Sequence, residues 1–84
     1  MTLSWNTINA IAQQYGDSFY LLAPSRFEAN YQRFLAAFQS EYQNSRIAYS
    51  YKTNYTPLLC QLVQKMGGYA EVVSGMEYDL ALRI

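Results

Sequence analysis

Arg46-Ile47-Ala48-Tyr49-Ser50-Tyr51-Lys52-Thr53-Asn54 is the stretch on which the reading of this 84-residue chain turns. It is a short apolar strand that ends in a lysine, and Lys52 and Lys65 are the only lysines present. Strand alternation puts Ile47, Tyr49 and Tyr51 on one face and Ala48, Ser50 and Lys52 on the other. Large residues on one side suit packing against helices. Small residues beside a lysine leave room for a bulky partner such as a cofactor. Desolvation there disfavours the ammonium and leaves a nucleophilic amine, the state a Schiff-base lysine needs. The plain alternative is a lysine that snorkels from a strand end into water.

Working outward, helix and strand alternate. Trp5, Ile8, Ile11, Ala12 and Tyr15 have helical spacing over residues 4–15, and Gly16 supplies the stop. Phe19-Tyr20-Leu21-Leu22 is predicted as a first short strand. Pro24-Ser25 opens a second helix, with Ser25 and Glu28 at capping-box spacing. Its stripe of Phe27, Tyr31, Phe34, Leu35, Phe38 and Tyr42 reads as core. After the Lys52 strand, Thr56-Pro57 gives an N-cap and a proline at the first helical position. Leu58, Leu59, Leu62, Val63 and Met66 continue that helix to Gly67-Gly68, and Cys60 inside it reads as a small core or boundary residue. Tyr69-Ala70-Glu71-Val72-Val73 is the next strand. Ser74 and Glu77 repeat the capping-box spacing before a last helix that carries Met76, Leu80 and Ile84 on one side. Asp17 and Asp79 read as solvated. Strands separated by single helices imply parallel pairing with right-handed crossovers, so the fold class is α/β with about three strands.

Half of the residues are apolar and the formal net charge is zero, which is a globular composition. Neutrality and the lack of a basic run argue against a nucleic-acid partner. No apolar stretch approaches the roughly 20 residues of a membrane span, and residues 1–6 do not form a signal peptide. A lone cysteine fits a reducing cytoplasm, and no metal site is predicted. The absence of histidine excludes a Ser-His-Asp or Cys-His catalytic set within these residues. The last residues, Ala81-Leu82-Arg83-Ile84, carry no glycine or asparagine cap. The expectation is therefore the N-terminal part of a longer protein; the competing one is a complete miniature three-stranded domain.

Ala48-Tyr49-Ser50-Tyr51-Lys52-Thr53-Asn54 resembles the lysine motif of the fold-type III pyridoxal-phosphate decarboxylases, whose pattern is approximately A-Y-x-x-K-A-N. Thr53 stands where that pattern has alanine. Glu71-Val72-Val73-Ser74-Gly75-Met76-Glu77 resembles the same family's D/E-V-V/A-S-G-G-E segment, with Met76 in place of the second glycine. Gly16-Asp17-Ser18-Phe19-Tyr20 resembles its G-T-P-x-Y entry, with Ser18 in place of proline. The V-V-S-G form leans toward diaminopimelate decarboxylase-like members over ornithine ones.

The resemblance implies that residues 1–84 begin an incomplete (β/α)8 TIM barrel, a fold of about 250 residues, with a β-rich second domain absent here. It implies pyridoxal 5'-phosphate as cofactor, an amino-acid substrate, a homodimer and a cytoplasmic carboxy-lyase. Lys52 is then the Schiff-base lysine, with Glu71 and Asn54 as further cofactor-binding residues. Glu71 would tune the protonation of Lys52 or the cofactor; its alternative is a strand-end carboxylate in water. Asn54 alternatively serves loop hydrogen bonding, and Ser74 and Glu77 read as capping residues. The family's ring-stacking histidine, glycine-rich phosphate loop and acidic partner of the pyridine nitrogen have no counterpart in these residues. The chain alone is therefore expected to bind cofactor poorly and not to decarboxylate. The other readings are an alanine racemase-like barrel fragment and a non-catalytic α/β interaction module.

Overall fold

Four helices and two parallel strands make up the computed structural model, which describes residues 2–84. Met1, part of the N-terminal stretch read for a targeting signal, lies outside them. The order is α1 (Trp5–Tyr15), α2 (Pro24–Glu41), β1 (Ala48–Ser50), α3 (Pro57–Lys65), β2 (Tyr69–Glu71) and α4 (Gly75–Arg83). Ser4 caps α1 by accepting from the Thr7 amide at 3.2 Å, and the Gly16 amide closes it on the Ala12 carbonyl. No helix among the described residues is long and apolar enough to cross a membrane.

β1 and β2 pair in parallel, with Ala48 opposite Tyr69, Tyr49 opposite Ala70 and Ser50 opposite Glu71. The ladder runs slightly past both ends. The Tyr69 amide donates to the Ile47 carbonyl at 2.9 Å, and the Tyr51 amide to the Glu71 carbonyl at 3.0 Å. The crossover between the strands is α3, as parallel pairing requires. Its end is a Schellman motif, with Gly67 at φ 82°, its amide on the Gln64 carbonyl and the Gly68 amide on the Val63 carbonyl. Gly68 has a second reason to lack a side chain. A Cβ there would run into the Tyr31 hydroxyl and would lie 2.6 Å from Val63 Cγ1. That close approach lets α2, α3 and the start of β2 meet.

The core is small and lies on one face of the sheet. Tyr31, Tyr51, Leu59, Cys60, Leu62 and Val63 are its buried apolar residues. The predicted parity holds, for Tyr51 is buried and Tyr49 packs edge-on against Phe27 of α2 at 6.0 Å and against Tyr51 at 6.1 Å. Cys60, 1 % exposed, is a core residue.

Three expectations are corrected. Phe19-Tyr20-Leu21-Leu22 forms no strand, because neither β1 nor β2 pairs with it and an isolated extended segment gains no ladder bonds. Ser25 and Glu28 form no capping box, because the helix begins one residue earlier at Pro24, which places Ser25 inside its first turn and leaves Ala23 as an N-cap without a side-chain bond. The α2 stripe is core only in part. Tyr31 is buried, whereas Phe34 and Phe38 are each 57 % exposed and lie tilted against one another with ring centroids 5.1 Å apart.

The exposed half of that stripe is part of a larger surplus. A compact chain of this length has a radius of gyration of about 12 Å and a compact protein of this mass exposes about 5,100 Å². The values here are 15.9 Å and 6613 Å². The molecule is a slab 17 Å thick, one layer of helices on one small sheet. The opposite face of the sheet carries Ser50, whose Oγ is buried, and the half-buried Glu71.

Candidate functional site

β1 ends at Ser50, and the chain then turns back at once. The Thr53 amide donates to the Ser50 carbonyl at 3.3 Å, so Ser50–Thr53 is a four-residue turn with Tyr51 and Lys52 at its centre. Tyr51 still belongs to the ladder and to the core. Lys52 is the next residue, at the outer corner of the turn, and is exposed. No non-glycine residue among those described has a positive φ, so this corner needs no left-handed backbone at the lysine. The desolvated setting expected for Lys52 is not supplied by the described residues, since the side chain is exposed.

The next residues prepare α3. Asn54 Oδ1 accepts from the Thr56 amide at 3.1 Å and from Thr56 Oγ1 at 2.6 Å. An amide N–H can only donate, so this side chain must present its oxygen here, and its NH₂ is left for other partners. Thr56 holds the N-cap position without a side-chain cap bond, and its hydroxyl donates to Asn54 Oδ1. The Tyr49 hydroxyl reaches across the base of the turn and donates to the Asn54 carbonyl at 2.7 Å. Lys52, Thr53, Asn54, Tyr55, Thr56 and Pro57 line an open cavity of about 430 Å³.

Glu71 is brought to the same face. In-register neighbours on parallel strands point the same way, so Glu71 lies beside Ser50 on the side that carries Lys52. It is half-buried at the end of β2. Ser50 Oγ is buried and without a hydrogen-bond partner among the described residues. The structure thus places Lys52, Glu71 and Asn54 at one end of the sheet, with Glu71 on the Ser50 face, Lys52 in the turn that follows Ser50 and the Asn54 oxygen engaged in the loop.

The second turn holds the residues read as caps. Ser74 Oγ accepts from the Glu77 amide at 3.2 Å and donates to Glu77 Oε2 at 2.8 Å. Glu77 is also buried, 5 % exposed, and its Oε1 has no partner among the described residues. Spacing revealed the cap but not the burial, which arises from tertiary packing. The Tyr49 hydroxyl is likewise invisible in the sequence, because its acceptor is a backbone carbonyl that any residue at position 54 would offer.

No protein-family model matches the chain, and no solved structure does. Two curated relatives do. The diaminopimelate decarboxylase of Methanocaldococcus jannaschii is 32% identical over 75 residues, covering 84% of this chain. That of Methanothermobacter thermautotrophicus is 29% identical over 72 residues, covering 86% of it. The chain spans about 17% of the length of each relative. This is a distant similarity to decarboxylases, carried by a chain far shorter than they are.

Proposed function

We propose that these residues are the opening portion of a pyridoxal-phosphate-dependent amino-acid decarboxylase, diaminopimelate decarboxylase-like, with Lys52 as the residue that binds the cofactor covalently. The observation that carries the reading is the exposed Lys52 amine at the C-terminal end of a parallel strand, within a chain similar to two diaminopimelate decarboxylases along most of its length. In an α/β barrel that end of the sheet is where active sites form. The surplus exposed surface supports the same reading, since a barrel segment leaves its neighbours' faces bare.

The donor set fits the cofactor. An aldehyde needs an accessible primary amine with open space beside it, and Lys52 has both. When bound, pyridoxal phosphate supplies an electron sink for the carbanion left by loss of carbon dioxide. The residues of this chain hold and orient. Lys52 provides the amine, and the turn centred on Tyr51 and Lys52 aims it off the sheet. Glu71, half-buried at the end of β2 and paired in register with Ser50, adds a carboxylate to the same end of the sheet. The Asn54 NH₂ is a donor that the bonds made by its oxygen leave unused. A homodimer in the cytoplasm belongs to the same proposal. The 84 residues by themselves lack a phosphate cradle of the kind a glycine-rich loop provides and are proposed to be inactive.

The test is chemical. The natural protein that carries this chain is mixed with pyridoxal phosphate, reduced with borohydride and mapped by peptide mass spectrometry. Cofactor mass on Lys52, lost in Lys52→Ala, together with release of carbon dioxide from diaminopimelate, is the expected result. Mass on Lys65, or none, overturns the assignment.

A further inference from the structure

The Tyr49 side chain belongs to the face opposite Lys52, yet its hydroxyl bonds to the chain beyond Lys52. The ring is fixed first. It lies edge-on to Phe27 at 6.0 Å and to Tyr51 at 6.1 Å, so the hydroxyl is delivered by packed aromatic surface and not by a free side chain. From there it donates to the Asn54 carbonyl at 2.7 Å, shorter than the backbone bonds made by the Tyr51 and Thr53 amides. The bond links the strand to the point where the chain leaves the turn. Between its two ends stand Ser50, Tyr51, Lys52 and Thr53, closed by the 3.3 Å bond from the Thr53 amide to the Ser50 carbonyl.

The turn has few other restraints. Lys52, Thr53, Asn54 and Tyr55 are exposed, and the Asn54 side chain ties only forward, to Thr56. The Tyr49 hydroxyl is thus the one side-chain strap, among the described residues, that connects the strand before Lys52 to the loop after it. We propose that Tyr49 is a positioning residue for Lys52: its hydroxyl fixes the width of the turn and so the point from which the lysine amine is presented. This rests on the reading of Lys52 as the cofactor-binding amine. Tyr49 touches no reacting atom; it acts through the Asn54 backbone.

The reporter is built into the chain. Tyr49→Phe removes the hydroxyl and keeps the ring packing. The Thr53 and Thr56 amides, both bonded within the loop, should exchange with deuterated water about fivefold faster, the ratio that loss of one ordinary hydrogen bond gives. The ladder amides of Tyr51 and Tyr69 should keep their rates. The second readout compares the two lysines of one molecule in the natural full-length protein. After brief exposure to pyridoxal phosphate and borohydride, the ratio of label on Lys52 to label on Lys65 should fall in Tyr49→Phe. Phe27→Ala, which loosens the ring and keeps the hydroxyl, is the packing control and should raise exchange across the whole core. Unchanged Thr53 and Thr56 exchange in Tyr49→Phe overturns the strap. Faster exchange with an unchanged labelling ratio overturns the positioning role. Absence of label on Lys52 in the unaltered protein overturns the decarboxylase reading instead, and the exchange rates still decide the strap.

Discussion

The two strand-to-helix connections solve the same problem at different lengths. After β2, three residues suffice: Val72 and Val73 lead to Ser74, whose hydroxyl caps α4 and bonds the Glu77 carboxylate. After β1, six residues intervene, and the cap is rebuilt from parts. Asn54 takes the Thr56 donors, Tyr49 holds the Asn54 carbonyl, and Thr56 itself only marks the boundary. The short connection ends in a cap and nothing else. The long one spends its extra residues on an exposed corner, and the residue at that corner is Lys52. A loop longer than the turn requires, tied at both ends and bare in the middle, suits the presentation of a side chain.

The helices that follow the two connections differ as much. α3 packs Leu59, Cys60, Leu62 and Val63 into the core, whereas α4 leaves Met76, Tyr78 and Leu82 largely exposed. The largest expected effect tests this contrast. Leu62→Ala should destabilise the chain by about 2–4 kcal/mol, the range for an aliphatic side chain removed from a closed core. Leu82→Ala, at 68 % exposure, should stay within about 0.5 kcal/mol. Urea unfolding midpoints of the two variants give the comparison. Equal losses would mean that α4 is as deeply packed as α3 and that the asymmetry between the two units is false.

How much of this was legible in the sequence follows from which interactions are local. The alternation over Ile47–Lys52 is a property of the strand itself, and it correctly assigned Tyr49 and Tyr51 to the helix side. Pro57, the Ser74–Glu77 spacing and the Gly67-Gly68 stop are local too, and each marks a real boundary. Phe19–Leu22 was misread because an apolar run becomes a strand only when a neighbour pairs with it, and that depends on chain elsewhere. The outer half of the α2 stripe was misread for a similar reason, since periodicity identifies a face suited to burial but not whether anything covers it. Within the candidate site, Lys52, Glu71 and Asn54 are proposed from their motifs. Register was needed to put Glu71 on the lysine's face, and no pattern in the sequence marks the Tyr49 hydroxyl as the strap.

A smaller effect separates the two caps. Ser74→Ala removes the α4 cap and also strips the buried Glu77 carboxylate of its one side-chain hydrogen-bond partner among the described residues. The cost should reach about 2 kcal/mol, the upper part of the range for a lost N-cap. Asn54→Ala loses two bonds at an exposed site, where water replaces them, and should cost about 0.5–1 kcal/mol. Its Tyr49 bond survives, because the acceptor is the backbone. Thermal unfolding of both variants measures the difference. A larger loss in Asn54→Ala would show that the long connection, and not the short one, depends most on its cap.

The smallest effect lies at alkaline pH and centres on the contact between Tyr51 and Cys60. Burial pushes the Cys60 thiol above its ordinary value of 9.0, against the opposing hydrogen bond from Tyr51. Burial, followed by the neighbouring Cys60, raises the Tyr51 phenol above 10.0. Both groups are held protonated in the folded chain more firmly than in the unfolded one. The unfolded chain therefore loses these protons first as pH rises. Their contribution is fully present below pH 9 and is lost progressively as pH climbs through the folded-state values. Melting temperature should be flat with respect to these two groups from pH 7 to 9 and fall beyond it. Cys60→Ala, whose transition is lower throughout, should fall less steeply between pH 9 and 10. An identical slope in that variant would move the alkaline sensitivity away from the Tyr51–Cys60 contact, and with it the claim that the core under β1 and α3 is the one that responds.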